Sequence, residues 1–487
     1  MSLQSDQERV GWTERIGYAV GDLGFCLYWN TFSVFLLIFY TDTFGISAAA
    51  AGTMLLVTRW WDNFADPVMG IIADRTKSRF GRFRPWMLWM CVPFAISGVL
   101  AFSAPNLSAT GKLAYAYVTV SLLMLFYTML NVPYAALLGI ITHNGEERTR
   151  LSSFRFIGAF TGNFIVQLTL LYLVKALGRG NDKAGYPLTL AVYGCVALSL
   201  FLFTFASTKE RVQPVARKKS SIREDLADLS RNKPWLVLAA VNIMFQIWVG
   251  IKLAGQVYYF KYVVGNAGLA GLSQWMPPAL WKWMPGGLAR HLSTWDGMVA
   301  TWMVAGTAFS LLGAASAPWV MKRLGGKRSA YILLSLANAV CCAALFFAGP
   351  KDFGLIFGSQ ILGSFVGGPL SPLIWAMFAD TADYGEWRFG RRSTGLVFSA
   401  GSFAQKMGAV LGAAITGWLL AYYGFKANIV QTPQTVFGIR MMVGLLPAAA
   451  SVLTAVIALF YRLNAKMERT IIAEMKERRA AEPAAAD

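Results

Sequence analysis

The sequence predicts an all-α membrane protein, with twelve transmembrane helices in two six-helix bundles and both termini cytoplasmic. Three observations carry that expectation. Of 487 residues, 56% are apolar and 14% charged, against roughly 25% charged in a soluble domain. Apolar windows of ~20 residues recur along nearly the whole chain, each long enough to cross ~30 Å of hydrocarbon. Lastly, the charge is sided. The formal net charge is +19, and thirty of the 44 Lys and Arg fall in the N-terminus, the even-to-odd loops and the C-terminus. Nine sit at or beside the opposite ends, and five (Arg59, Arg155, Lys252, Lys406, Arg440) lie within spans. This is the positive-inside distribution. The basic excess then sets orientation and touches anionic lipid, and nucleic acid is not an expected partner.

The spans fall near 16–40, 48–73, 85–102, 113–142, 151–177, 186–208, 234–262, 297–321, 329–348, 354–379, 395–423 and 437–461. The polar stretch 209–233 separates an N-terminal half, 1–208, from a C-terminal half, 234–461, and contains a short amphipathic helix around Ile222 to Leu229. A cytoplasmic tail, 462–487, follows. An external insertion, 266–294, holds Trp275, Trp281, Trp283 and Gly286-Gly287; it is too broken to span and reads as an interfacial loop or a lid. The two halves echo each other faintly. Asn144-Gly145-Glu146 follows the fourth span and Asp383-Tyr384-Gly385-Glu386 the tenth, and basic loops follow the second and eighth.

Several chemistries are excluded. The charged stretch Gln4 to Arg15 and the long first apolar run do not fit a cleaved secretory signal. All five cysteines lie inside apolar runs without disulfide or metal-ligand spacing. With His143 and His291 isolated, a membrane-embedded enzyme is not expected.

Ionisable groups inside the bilayer cost at least ~2.5–3.5 kcal/mol each and face a cavity or a partner. Counted from the cytoplasmic end of its span, Asp62 lies about 16 Å deep and Asp66 about 10 Å, one turn apart on one face. Two carboxylates that close in low dielectric repel, so one of them takes a proton or a cation. The Thr128 hydroxyl on the fourth span adds an oxygen, so either H⁺ or Na⁺ fits Asp62 and Asp66. The rival reading is a static ion pair of Arg59 with one Asp. Asn131 and Lys406 lie at about 16 Å and Asp22 at about 9 Å, the depth at which transporters hold substrate. Lys406 reads equally as a partner of Asp62 or as a donor to sugar hydroxyls, and Asp22 as a packing or a binding residue. Arg155, only about 6 Å deep, has the option of snorkelling. Sugar recognition also wants a ring under the apolar sugar face. Trp375, beside Pro372 in the span leading to Asp380 and Asp383, is preferred over Tyr28, Trp29, Trp60 and Trp61.

The residues Tyr40-Thr41-Asp42, Arg59-Trp60-Trp61-Asp62-Asn63-Phe64-Ala65-Asp66-Pro67, Ser78-Arg79-Phe80-Gly81-Arg82-Phe83-Arg84-Pro85-Trp86, Asn131-Val132-Pro133-Tyr134 and Asp383-Tyr384-Gly385-Glu386 resemble the glycoside–pentoside–hexuronide cation symporters of the major facilitator superfamily. The resemblance runs over about residues 14 to 470. It implies the major facilitator fold with alternating access, a cation site at Asp62 and Asp66 helped by Thr128, and sugar contacts at Arg155 and Lys406. In the melibiose permease branch the place of Ala65 is an Asn that helps hold Na⁺, so the resemblance tilts this chain to H⁺. That branch also has sugar-binding carboxylates where this chain has Cys26 and Asn131. Gly21-Asp22, Tyr384-Gly385-Glu386-Trp387 and Thr208-Lys209-Glu210-Arg211-Val212 look more like the xyloside and glucuronide branches.

The expected activity is therefore import of a xyloside-type glycoside or oligosaccharide by cation symport, with a hexuronide as the alternative substrate. A lysolipid transporter of the same superfamily is the second alternative. The basic loop with Asp74, Arg75, Arg82 and Arg84 is expected to clamp the inner gate, together with Arg59, through ion pairs with acidic residues such as Glu146, Asp380 and Asp383. The expected setting is a bacterial inner membrane, with the protein functional as a monomer and without a cofactor beyond its coupling ion.

Overall fold

The computed structural model describes residues 10–142, 145–211, 222–265, 293–390, 394–463 and, within the tail, 467–468, 470–471, 473–474 and 477. Most of the insertion 266–294 lies outside the described residues, and so do the side chains of residues 61–64, 74, 145, 146, 148, 149, 222–226, 394 and 395.

The described chain is helical. In order, the helices are α1 (Trp12–Asn30), α2 (Ala48–Arg75), α3 (Arg84–Ala101), α4 (Ala109–Ile141), α5 (Gly145–Gly178), α6 (Asp182–Ser207), the short α7 (Ile222–Arg231), α8 (Lys233–Tyr259), α9 (Trp295–Arg323), α10 (Lys327–Phe347), α11 (Phe353–Gly367), α12 (Leu370–Phe389), α13 (Thr394–Tyr422), α14 (Pro433–Val443) and α15 (Leu445–Ala458). Helix is required because hydrocarbon offers no partner for backbone N–H and C=O groups. Among the described residues, 11 helical segments are long and apolar enough to cross a membrane, α11 with α12 and α14 with α15 each making one. The 28-residue α2 is long enough, but Arg59, Asp62 and Asp66 interrupt its apolar run.

Local chemistry sets the helix starts. Ser47, Ser108, Asn232 and Thr432 each accept a backbone N–H of the first turn, from Ala50, Gly111, Trp235 and Thr435, and Pro85, Pro234 and Pro433 occupy first-turn positions that need no donor. After Asn30 the first span does not end. It widens into π turns over Thr31–Phe35 and Phe39–Phe44 before Gly45 turns the chain.

The chain divides into two compact units. The first comprises 1–217 with 296–301 and 417–431; the second comprises 218–295, 302–416 and 432–487.

In the first unit α1 lies along α5 and α6, α3 along α4 and α6, and α2 along α4. The contact of α1 with α5 is close because Gly158 and Gly162 present no side chain. A methyl at Gly158 would collide with the Ala19 carbonyl oxygen, and one at Gly162 would lie 2.8 Å from the Leu23 carbonyl oxygen. Small residues four apart allow such backbone approach, the main attraction left to helices in lipid. The Tyr134 hydroxyl donates to the Tyr18 carbonyl at 2.6 Å, and the two rings stack at 4.8 Å. At the end away from the basic loops, Lys175 pairs with the buried Asp296 at 2.6 Å.

In the second unit α8 packs on α14 and α15, and α10 on α11 and α15. Leu238, Phe245, Trp248, Tyr331, Leu373, Met377, Phe378 and Tyr461 form the core at the basic end. The tail returns to this core: Leu463 and Ile471 are buried, and Glu474 accepts the Trp387 indole N–H at 2.6 Å. Burial, with Asp380 and Glu468 nearby, holds the Tyr461 phenol well above its ordinary pKa.

Candidate substrate and cation site

Asp66 lies nine residues before the end of α2, about 14 Å along the helix. The fully buried Thr128 of α4 donates its hydroxyl to Asp66 Oδ1 at 3.2 Å, so a carboxylate oxygen and a hydroxyl oxygen from two helices meet in the interior of the first unit. Asp62 lies one helical turn earlier in α2; its side chain is outside the described residues. Asn131 follows Thr128 by one turn on α4 and is half-buried.

Arg59, one turn before Asp62, is 7% exposed, and its guanidinium lies 4.3 Å from the Trp29 ring and 4.1 Å from the Phe32 ring of the first span. Trp29 also stacks on Tyr127 of α4, with centroids 5.1 Å apart. A guanidinium against aromatic faces keeps its charge at modest desolvation cost, because the rings supply a negative quadrupole.

Arg155 and Asp22 meet directly. Arg155 Nε donates to Asp22 Oδ2 at 2.6 Å, with the carboxylate buried and the guanidinium 29% exposed. The membrane-crossing stretch of α5 begins at Arg150, so Arg155 lies about 8 Å inside it, close to the shallow depth read from the sequence, and its long side chain extends along α1 to Asp22. It reaches a partner instead of snorkelling. The guanidinium also lies over the Tyr134 ring at 5.4 Å.

Trp375 and Lys406 belong to the second unit. Trp375 is half-buried and stacks parallel on Phe398, with centroids 6.0 Å apart. Lys406 is half-buried on α13.

The backbone of the basic loop is tied to an acidic residue of the same unit. The Glu210 carboxylate, just past α6, accepts the backbone N–H groups of Arg82, Phe83 and Arg84 at 2.8, 2.8 and 2.9 Å. These are orphan donors at the start of α3, where the helix dipole also favours an anion. Gly81 permits this: its φ is +105°, and a Cβ there would meet the Glu210 carboxylate at 2.5 Å. Arg84 donates to the Phe205 carbonyl at 2.7 Å, and the side chains of Arg75 and Arg82 are exposed. Arg211 clasps Glu14 through both guanidinium nitrogens at 2.9 and 2.8 Å. Asp380 is held by Lys327 at 2.6 Å, Lys327 also reaches Glu468 at 3.4 Å, and Asp383 is half-buried near the end of α12. The side chains of Asp74 and Glu146 are outside the described residues. Sequence reasoning missed Glu210, Glu14, Arg211 and Lys327 as partners. The signal was present in Thr208-Lys209-Glu210-Arg211, a charged run directly after a span.

Helices long and apolar enough to cross a membrane, with carboxylate, hydroxyl and guanidinium groups among them, describe a multi-pass membrane protein, and its family makes it a transporter, not an enzyme. The chain belongs to the MFS/sugar transport protein family, matched over residues 17–278 and 290–465. It is 34% identical over 485 residues to the isoprimeverose transporter of Lactiplantibacillus pentosus, covering 98% of this chain and 94% of that protein. It is 33% identical over 470 residues to the inner membrane symporter YicJ of Escherichia coli (strain K12), covering 95% of each. Among solved structures, the nucleoside transporter NupG superposes with a TM-score of 0.60 at 15% identity, over 93% of this chain and all of NupG, a likeness of fold.

Proposed function

We propose that the protein imports a neutral glycoside of the xyloside type across the inner membrane, driven by symport of H⁺, with both termini on the cytoplasmic side. The observation that carries the symport reading is the Asp66–Thr128 contact at 3.2 Å, one turn beyond Asp62 and deep in the first unit. A lone hydroxyl and carboxylates make a site for a proton or a hard cation. Ala65 supplies no further oxygen there, which favours H⁺ over Na⁺. The substrate class follows from full-length likeness to the isoprimeverose transporter. Asp22, Arg155 and Asn131 are the proposed sugar contacts in the first unit; Trp375 and Lys406 are those of the second. The guanidinium of Arg155 carries five N–H donors, more than Asp22 takes up, and the remainder suit sugar hydroxyls.

Cation binding relieves the repulsion between Asp62 and Asp66, and the sugar then binds to the neutralised carrier. One positive charge moving through 100 mV supplies about 2.3 kcal/mol, enough for roughly a 50-fold sugar gradient at 1.4 kcal/mol per decade. The test is uptake of labelled isoprimeverose, a xyloside panel and glucuronides into proteoliposomes, each with an imposed pH gradient and with Na⁺. Accumulation of a neutral xyloside under the pH gradient alone supports the reading. Accumulation only of glucuronides, or only with Na⁺, overturns the substrate or the cation respectively.

A further inference from the structure

We infer that Trp29, with Phe32, couples occupancy of the carboxylate site to the sugar-contacting stripe of the first helix. The inference rests on the symport reading above and assigns the residues that transmit it. Trp29 meets both helices forming the carboxylate site. Through Arg59, 4.3 Å from its ring, it meets α2, and Arg59 lies three and seven residues before Asp62 and Asp66 on the same face of that helix. Through Tyr127, stacked on it at 5.1 Å, it meets α4 at the residue next to Thr128, which holds Asp66. On its own helix, Trp29 lies seven residues after Asp22, two turns along the same stripe, and Asp22 is bonded to Arg155.

Coupling requires an element with two arrangements, and the π turn of the first span is the element to which the inference assigns them. Arg59 is clamped between Trp29, in the last regular turn of α1, and Phe32, inside the π turn Thr31–Phe35. Single π turns recur at functional sites and mark places where a helix changes winding. A cation arriving between Asp62 and Asp66 repels the guanidinium of Arg59. The guanidinium then pushes on the two rings that bracket the change of winding, which re-aims the Asp22 stripe. In the empty carrier Arg59 partly offsets the carboxylates and the clamp is closed.

The test measures binding of labelled isoprimeverose to purified protein across a pH series without Na⁺, and across a Na⁺ series at fixed pH. Its readout is the ratio of Kd at low and at saturating cation. Coupling factors of about 5–150-fold are typical, and a ratio in that range is expected for the unmodified protein. Trp29→Leu is expected to bring the ratio within about twofold of unity, whereas Trp29→Phe, which keeps an aromatic face, retains most of it. A merely structural role shifts both Kd values together and leaves the ratio alone. Should Trp29→Leu fail to fold, Phe32→Leu removes the other ring of the same clamp, and the ratio is read there with the same two outcomes. A variant that keeps the unmodified ratio overturns the inference alone. An unmodified protein with no cation-dependent binding overturns the symport reading, and this inference with it.

Discussion

Arg155 and Asp22, 133 residues apart in sequence, share a hydrogen bond of 2.6 Å between α5 and α1, at a depth where neither charge is cheap alone. Gly158 and Gly162 bring the two helix backbones together just beyond it. The pair therefore serves packing and recognition at once, and variants separate the two.

Asp22→Asn leaves the Arg155 guanidinium without its counter-charge. Breaking a buried pair costs about 3–5 kcal/mol; with Arg155 29% exposed, roughly 1–3 kcal/mol is expected after allowing for solvent screening. The melting temperature in detergent should fall, and Asp22→Asn with Arg155→Gln should recover part of the loss. Transport should be lost in both variants. A double variant that transports like the unmodified protein would show the pair to be outside the sugar site.

Thr128→Ala removes the donor to Asp66. A hydrogen bond donated to a carboxylate contributes about 1.5–3 kcal/mol to its ionised form, so without it half-maximal uptake under a pH gradient should require at least about tenfold less H⁺, with little change in uptake at saturation; a site for Na⁺ would instead lose an oxygen and need more of the cation. Apparent cation affinity in initial-rate uptake checks this. An unchanged cation dependence separates Thr128 from the cation.

Glu210→Ala opens the start of α3 by unpairing three backbone donors at once. A loss of about 1–3 kcal/mol is expected, seen as a lower melting temperature and faster hydrogen exchange at residues 82–84. Gly81→Ala should act in the same direction, because it strains a φ of +105° and crowds the same carboxylate. Equal stability of both variants would remove Glu210 as the cap.

Trp387→Phe keeps the ring and deletes the N–H that Glu474 accepts. Limited proteolysis should then cut the tail beyond residue 463 several-fold faster, while unfolding of the bundles is unchanged. An unchanged cleavage rate would mean that Ile471, buried in the same core, holds the tail alone.

Much of this molecule was legible before folding was considered. Asp62 and Asp66 stand out in a one-dimensional reading because a carboxylate in an apolar run is conspicuous, and Thr128 was read with them as a hydroxyl on the fourth span. Arg155 was singled out as well, but its partner was not, because α5 begins outside the apolar window and its pairing with Asp22 depends on which helix lies beside it. Glu210, Arg211 and Lys327 were read as loop charges because their partners are backbone groups and residues of distant helices.

Hydropathy, charge siding and the spacing of acidic residues along one helix are properties of the chain itself. The bilayer imposes them locally, so the sequence alone determined the spans and which of them carry charge. Partner choice was decided only by the tertiary structure. That Arg59 rests on Trp29 and Phe32, that Arg155 meets Asp22, and that Glu210 closes α3 all depend on which helices approach. That approach is set by small residues such as Gly158 and Gly162, whose effect exists only once a second helix is there to fill the space.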